Sequence, residues 1–294
     1  MIESVASMKP AWLCGLAGVA VVGGFRVRAI EMGDHAAVLA LVDADRLVGQ
    51  PAAGGELLTA VSRKGLVRPA TLVLTDTRGT IRGVAHCAVR TSDGAGLIGW
   101  LHTLEDIEAA AALIAAARAQ LGPVPMLYAG TGPTQPPQAG IFPLLGIAQH
   151  RCPSTTRALS SAGFTEAATR LYFHHPLTPA PAPPIEPLAD LRAATDPPGF
   201  QLTLYATDGH PMASAVLHRW DDEHWHLRHL SVRADHRKRG IASHLLAQCL
   251  HTAHARGATS LIAHTHENDH ISARLLEHAH FTTIDTLTIH HRRP

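Results

Sequence analysis

The chain has 294 residues, 46% of them apolar, which is enough for two packed cores of ordinary size. Its formal charge of +1, from 25 basic and 24 acidic residues, excludes a nucleic-acid binder that relies on a broadly basic surface. The four cysteines, Cys14, Cys87, Cys152 and Cys249, are scattered and form no CxxC pair, so a reducing cytoplasm is expected rather than a disulfide framework.

Residues 11–25 are apolar but too few to span a bilayer as a helix. Glu3 lies where a signal peptide would be basic, and no small-residue cleavage site is convincing. Residues 1–24 are therefore expected to be a poorly ordered extension, with export or anchoring as the alternative. Residues 25–30 alternate and predict a strand. Asp34 is placed to cap a helix carrying Val38, Leu39, Leu41 and Val42. A loose region with Gly49, Pro51, Gly54 and Gly55 leads to a helix near 56–62. Residues 71–75 and 81–90 predict a hairpin around Arg78-Gly79. A strand follows at 95–101. An Ala-rich periodic helix at 105–121 ends at Gly122-Pro123. Then come a short strand at 124–128, a Gly/Pro loop at 130–143, a short helix at 154–162 stopped by Gly163, and a strand at 164–175.

Residues 178–187 are Pro-rich and predict a semi-rigid connector. Beyond it, 200–206 and 212–220 pair around Asp208-Gly209. Residues 224–232 predict a strand, 239–256 a long helix ended by Gly257, 260–266 a strand, 269–279 a short helix, and 281–290 a last strand. The first half thus reads β-α-α-β-β-β-α-β-α-β, and the second repeats that order from the hairpin onward. The second copy lacks a clear first strand and two helices; at most, residues 185–194 replace them. A shift of 117 positions superposes Arg157 on Arg274, Leu159 on Leu276, Phe164 on Phe281 and Thr169 on Thr286. Residue match and element order together point to an internal duplication. The expected domains are 25–177 and 188–294.

The stretch from Leu230 to Leu246 organises the second copy. Leu230, Ser231 and Val232 end a strand. Arg237-Lys238-Arg239-Gly240 makes a basic turn, and Ile241, Ala242, Ser243 and Leu245 open a helix. Free N–H groups and a partial positive charge at a helix N-terminus can hold an anion. Gly240 and Ala242 leave the backbone open to it.

The motif Arg237-x-x-Gly240-x-Ala242, followed by Leu245-Leu246, resembles the pyrophosphate turn of the GNAT superfamily of acyl-CoA N-acyltransferases. Asn268 to Phe281 resembles the segment that follows in that family. The resemblance implies an α/β (α+β) fold of tandem GNAT-like domains, each a mixed, mostly antiparallel sheet flanked by helices, like mycothiol synthase-type enzymes. It implies that acetyl-CoA is bound as co-substrate by Leu230, Ser231, Val232, Arg237, Lys238, Arg239, Gly240, Ile241, Ala242, Ser243 and Asn268. It also implies that pantetheine enters between strands 224–232 and 260–266. Two positions depart from the pattern. Leu276 stands where many members carry a proton-donating tyrosine, and His280 stands where a glycine is usual.

The first half has no basic turn. It reads His102-Thr103-Leu104-Glu105-Asp106, with Thr103 and Asp106 in a capping-box-like spacing. The carboxylates of Glu105, Asp106 and Glu108 would occupy the anion position or repel a pyrophosphate there. A CoA-free first half that closes the acceptor cleft is expected.

Acyl transfer to an amine needs positioning, donors for the carbonyl oxygen and removal of one proton. His229, His226 and Glu223 are the candidate bases. His270, Ser272 and His280 are the candidate acids in place of Leu276. Asp221 and Asp222 are placed to attract a cationic acceptor or simply to solvate a hairpin end; Trp220 and Trp225 suit either cleft or core. His264 and His266 point to one face of a strand and, with Glu267 or His290, are a candidate zinc set, but with 22 histidines chance pairs abound, and no metal is expected. The expectation is a cytoplasmic N-acetyltransferase for a small-molecule amine, monomeric or homodimeric, acting on neither nucleic acid nor membrane. The alternatives are a degenerate CoA-binding protein without catalysis and a protein-directed acetyltransferase.

Overall fold

The computed structural model describes residues 20–22, 24–55, 65–130, 146–183, 185–195 and 198–293. The helix expected near 56–62 and nearly all of the 130–143 loop lie outside them. Strand β1 (Ala20–Val22) pairs with β2 (Phe25–Ala29), so the end of the expected extension is a strand, while its residues 1–19 and 23 lie outside the described ones. Helix α1 (His35–Ala44) follows. Its expected cap, Asp34, instead turns its carboxylate to Arg28, at 2.6 and 2.8 Å, and to the Glu31 N–H. A charge-assisted fork outcompetes the helix's own N–H groups here.

Strands β3 (Leu66–Thr75), β4 (Ile81–Arg90) and β5 (Gly96–His102) form an antiparallel meander. Helix α2 (Ile107–Leu121) packs on it through Ala109, Ala110, Leu113, Ile114 and Ala117, and Gly122 ends it at φ +69°. Alanines on the buried stripe let the helix lie close to the sheet. Strand β6 (Leu127–Ala129), a two-residue β7 (Ile147–Ala148), α3 (Pro153–Ser161) and β8 (Thr165–Pro176) complete the first half.

The second half opens with β9 (Asp190–Thr195), which supplies the first strand the sequence left unclear. It continues as β10 (Pro198–Tyr205), β11 (Pro211–Arg219), β12 (His224–Val232), α4 (Ile241–His254), β13 (Ser260–His266), α5 (His270–His278) and β14 (Thr282–Arg292). Only positions 196 and 197 separate β9 from β10, so no helices intervene there. Leu245, Leu246, Cys249 and Ala253 of α4 pack on Leu217, Trp225 and Leu261 of the sheet. Each such leucine contributes roughly 1.5–3 kcal/mol by leaving water.

All strands of the described residues lie in one sheet, ordered β1-β2-β3-β4-β5-β6-β14-β8-β13-β12-β11-β10-β9, with β7 on β14. The order contains an exchange. Strand β14, the end of the second half, lies between β6 and β8 of the first. Strand β8, the end of the first half, lies between β14 and β13 of the second. Each half's sheet is finished by the other's last strand, so the two sequence domains do not separate in space.

The face of the second half's sheet away from α4 has no helix of its own. The first half covers part of it with the segment after α1. Leu47 packs with Tyr172 and Ile262, and the Tyr172 hydroxyl donates to the Val48 carbonyl at 2.8 Å. Gly49, at φ +83°, lies so close that a Cβ would meet His174 Cδ2 at 2.5 Å. The connector is strapped to α4: His244 Nε2 and Gln248 Nε2 lie 2.8 and 2.9 Å from the Pro187 carbonyl, and Gln248 accepts from the Ala189 N–H.

Candidate functional site

Strands β12 and β13 run parallel and pair only from His224–Ser260 to Leu227–Ala263. Beyond that point β12 continues five residues to Val232 with no β13 partner. The cause is local. On the other side Val216 faces His229 while Leu217 faces Leu227, so Arg228 is an extra residue, a bulge that bends the strand away. The first half repeats the arrangement: β5 pairs with β6 through Ile98 only, and Gly99 is the extra residue. Two parting strands leave a gap edged by unpaired backbone groups, which can take an extended chain as a further strand would be taken.

The end of β12 runs into a basic turn. Arg233 forks onto Asp235 at 2.8 and 2.9 Å, and Arg237 Nε donates to the Val232 carbonyl at 3.0 Å. Lys238 and Gly240 have positive φ, +61° and +77°. Gly240 is the N-cap of α4, and no side chain caps the helix. The first intrahelical bond there is His244 N–H to the Gly240 carbonyl, leaving the Ile241, Ala242 and Ser243 N–H groups without helical acceptors. A Cβ on Gly240 would meet nothing within 4 Å, so the approach is open.

The equivalent helix of the first half is closed. Asp106 caps α2, its carboxylate accepting from the Glu108 and Ala109 N–H groups at 3.0 Å each. The cap is Asp106 and not Thr103, which is buried beneath the turn. Glu105 serves elsewhere, accepting from the Ser154 N–H at the start of α3. One helix N-terminus holds its own anion; the other offers its N–H groups to an outside one.

Residues 165–281 match the acetyltransferase (GNAT) family. This segment belongs to the GNAT family. The fold of the entire chain agrees. A GCN5-related N-acetyltransferase from Sphaerobacter thermophilus superposes with a TM-score of 0.66 at 16% identity, over 94% of this chain and 98% of that one. A tandem GNAT protein from the clavulanic acid biosynthesis pathway superposes with a TM-score of 0.64 at 11% identity, over 92% and 98%. A GNAT-family acetyltransferase from Colwellia psychrerythraea gives 0.54 at 13%, over 91% and 99%. At these identities the likeness is one of fold, and that fold is a tandem GNAT fold. No curated protein matches the sequence.

Within the GNAT half, His229 is exposed beside the bulge, on the unpaired stretch of β12. His226 lies on the paired stretch, 2% exposed, with its Nε2 3.0 Å from His264 Nδ1 across the strands. Burial, then the neighbouring His264, holds His226 well below the usual imidazole range, and burial pushes His264 down to about 3. His226 Nδ1 and His264 Nε2 are sealed without partners. His218, 2% exposed on β11, meets Arg228 at 3.3 Å and is pushed down to about 4, first by burial. The sequence pointed to His226 but not to its pairing with His264, because only the parallel register shows which two of many histidines meet.

Glu223 is not brought to this site. It sits at the start of β12, its carbonyl accepting from Thr259 and Ser260, about 20 Å along the strand from His229. Asp221 is consumed by His224 and the hairpin backbone, and Asp222 faces Arg219 at 3.7 Å. Trp225 is core, stacked on Phe200, while Trp220 leans on His226. Asn268 is exposed in the turn before α5. Among the acid candidates, Ser272 donates to Asp269, the cap of α5, at 2.7 Å. His280 holds the left-handed turn at φ +63° where glycine is usual, its carbonyl 3.2 Å from His175 Nδ1, and His270 is exposed. Leu276 is buried in the core. His264 spends its Nδ1 on His226, His266 is exposed, and His290 lies on β14 opposite Ala129. Among the described residues no group of three or more His, Cys, Asp or Glu is placed to hold a metal ion. Among them, too, no helix is long and apolar enough to cross a membrane.

A cleft of about 790 Å³ lies elsewhere, at the last turn of α2, edged by Arg118, Leu121, Pro123, Leu127 and Arg292. It shares no residue with the gap or the basic turn.

Proposed function

We propose that the chain is an acetyl-CoA-dependent N-acetyltransferase for a small-molecule amine, with CoA held by the second half. The observation that carries this reading is the uncapped N-terminus of α4 behind Gly240, set at the end of the strand that parts from β13. Its N–H groups, with Arg237, Lys238 and Arg239, suit a pyrophosphate. Leu230, Ser231 and Val232 supply the open strand edge for pantetheine, and Asn268, exposed in the turn before α5, is the remaining cofactor residue. The thioester supplies the acyl group. The acceptor ammonium gives a proton to His229, its nitrogen attacks the carbonyl carbon, the CoA sulfur leaves as thiolate, and the nitrogen's second proton passes to water as the amide forms. The thiolate takes a proton from water, because Leu276 has none to give. His226, buried and neutral, supports β12 beneath the reacting atoms rather than acting as the base.

A second reading is favoured by the burial of Leu276: a CoA-binding protein without chemistry. Calorimetric titration with acetyl-CoA tests the common part. We expect binding by the wild-type protein and none by Gly240→Glu, since an acidic side chain at the open turn repels the pyrophosphate. Equal affinity in the variant removes the site assignment. Thiol release with a panel of amines then separates the readings: binding without release for any amine favours the second.

A further inference from the structure

We infer that Arg170 anchors a carboxylate carried by the amine acceptor, so that the substrates are amino acids and other amino-carboxylic acids rather than simple amines. This rests on the acetyltransferase reading and specifies its acceptor.

Arg170 lies on β8, opposite His266 of β13 and Leu287 of β14. Paired residues point to one side of a sheet, so Arg170 shares the face of Tyr172 and His264. That face carries the gap: the His264 ring meets Tyr172 at 5.3 Å on one side and His226 at 4.9 Å on the other. Arg170 is half-buried, and its Nε is sealed from water with no partner. No carboxylate lies within ion-pair distance of it among the described residues. By contrast Arg28, Arg90, Arg192, Arg219 and Arg233 each meet an aspartate within 4 Å.

The surrounding strands cannot provide the missing anion. Strands β11, β12 and β13 contain no aspartate or glutamate at all. The carboxylate of Asp285, on β14, is committed to the His150, Arg151 and Thr286 N–H groups. The one acid on β8, Glu166, sits beside Gln149 at 3.4 Å. A half-buried guanidinium without a counter-charge is unfavourable, and a carboxylate is the partner its fork fits. Arg228 adds a second cation at the lip of the same gap, where it meets His218. A bare ammonium would be repelled by this pair. An acceptor that brings its own carboxylate is not, and anchoring that group leaves its amine to reach toward β12.

The test uses the full chain, acetyl-CoA, and matched pairs of acceptors: the L-amino acids and several ω-amino acids, each beside its carboxamide. We expect kcat/KM at least tenfold higher for the acids. Arg170→Gln should remove that preference by raising KM for acids with kcat little changed, and Arg170→Lys should restore part of it. The same pairs titrated calorimetrically into the acetyl-CoA-loaded protein report even where turnover is absent. Acids binding tenfold tighter than amides in wild type but not in Arg170→Gln supports the inference. Equal binding, binding of neither, an unchanged preference in Arg170→Gln, or a preference that follows an acyl-chain carboxylate on succinyl-CoA instead overturns it. If acetyl-CoA itself fails to bind, the enzyme reading falls, while the acid-against-amide titration into the unloaded protein still decides the role of Arg170.

Discussion

Arg170 and Leu287 stand opposite each other at the middle of the β8–β14 ladder, 117 positions apart in the chain. The register around them repeats when the two halves are exchanged: Thr165 faces His291 as Thr282 faces His174. Even the extra residues correspond, Ala167 in β8 and Ile284 in β14. The pair marks a local two-fold axis. The weak 117-residue sequence repeat is the trace of that axis.

The first prediction follows from the exchange. Residues 25–177 and 188–294 expressed apart should each lack a central strand and fail to fold. Co-refolded, they should form a one-to-one complex. Size exclusion and circular dichroism of the separate and mixed fragments check this. Two independently folded fragments would contradict the topology.

Asp106→Ala should cost about 1 kcal/mol of stability, the usual loss for removing a helix cap. Its acetyl-CoA affinity should stay at the wild-type value, since the cap belongs to the closed helix. Urea unfolding and calorimetry on the same preparation separate the two effects.

Stability should fall as the medium is acidified. His264 is pushed down to about 3 by burial, and His218 to about 4, so the unfolded chain takes up protons that the folded one refuses. The loss should begin near the ordinary imidazole value and continue as pH drops toward 4. For His264 alone it amounts to about 2 kcal/mol between pH 6.5 and pH 5. Urea midpoints at pH 7.5 and pH 5 measure it, and His264→Gln should flatten the slope. A midpoint that rises on acidification would show that the imidazoles are not held neutral.

His229→Ala should lower kcat at least tenfold and leave acetyl-CoA affinity within twofold. His226→Ala should instead lower stability, by roughly 2–4 kcal/mol, because it opens a cavity and strips His264 of its partner. Kinetics and melting of the two variants distinguish a base from a support. Unchanged turnover in His229→Ala would withdraw its role.

Much of the fold was legible. Strands 81–90, 224–232 and 260–266 were bounded by Gly, Pro, Asp or charged punctuation, and their alternation placed the ends where the structure has them. The basic turn and the closed helix of the first half were readable from charge alone. The exchange of β8 and β14 was not, because alternation tells which side of a strand is buried and not which strand lies next to it. Nor was the isolation of Arg170 legible: it depends on β11, β12 and β13 lacking acids and on Asp285 of β14 being taken up by His150 and Arg151. Glu223 misled for the opposite reason, since proximity in sequence to the motif did not become proximity in space, and the Ser272 hydroxyl is taken up by Asp269. Thr103 fitted a capping spacing, but the chain turned one residue-triplet later.

Because β8 borders β13, the strand that backs one side of the gap is donated by the copy whose own anion position is shut. Losing that silent copy would take away a rib of its partner's framework along with the patch that Leu47 and Gly49 lay over it. A half that took no cofactor of its own would thus remain indispensable, kept for carpentry rather than for chemistry.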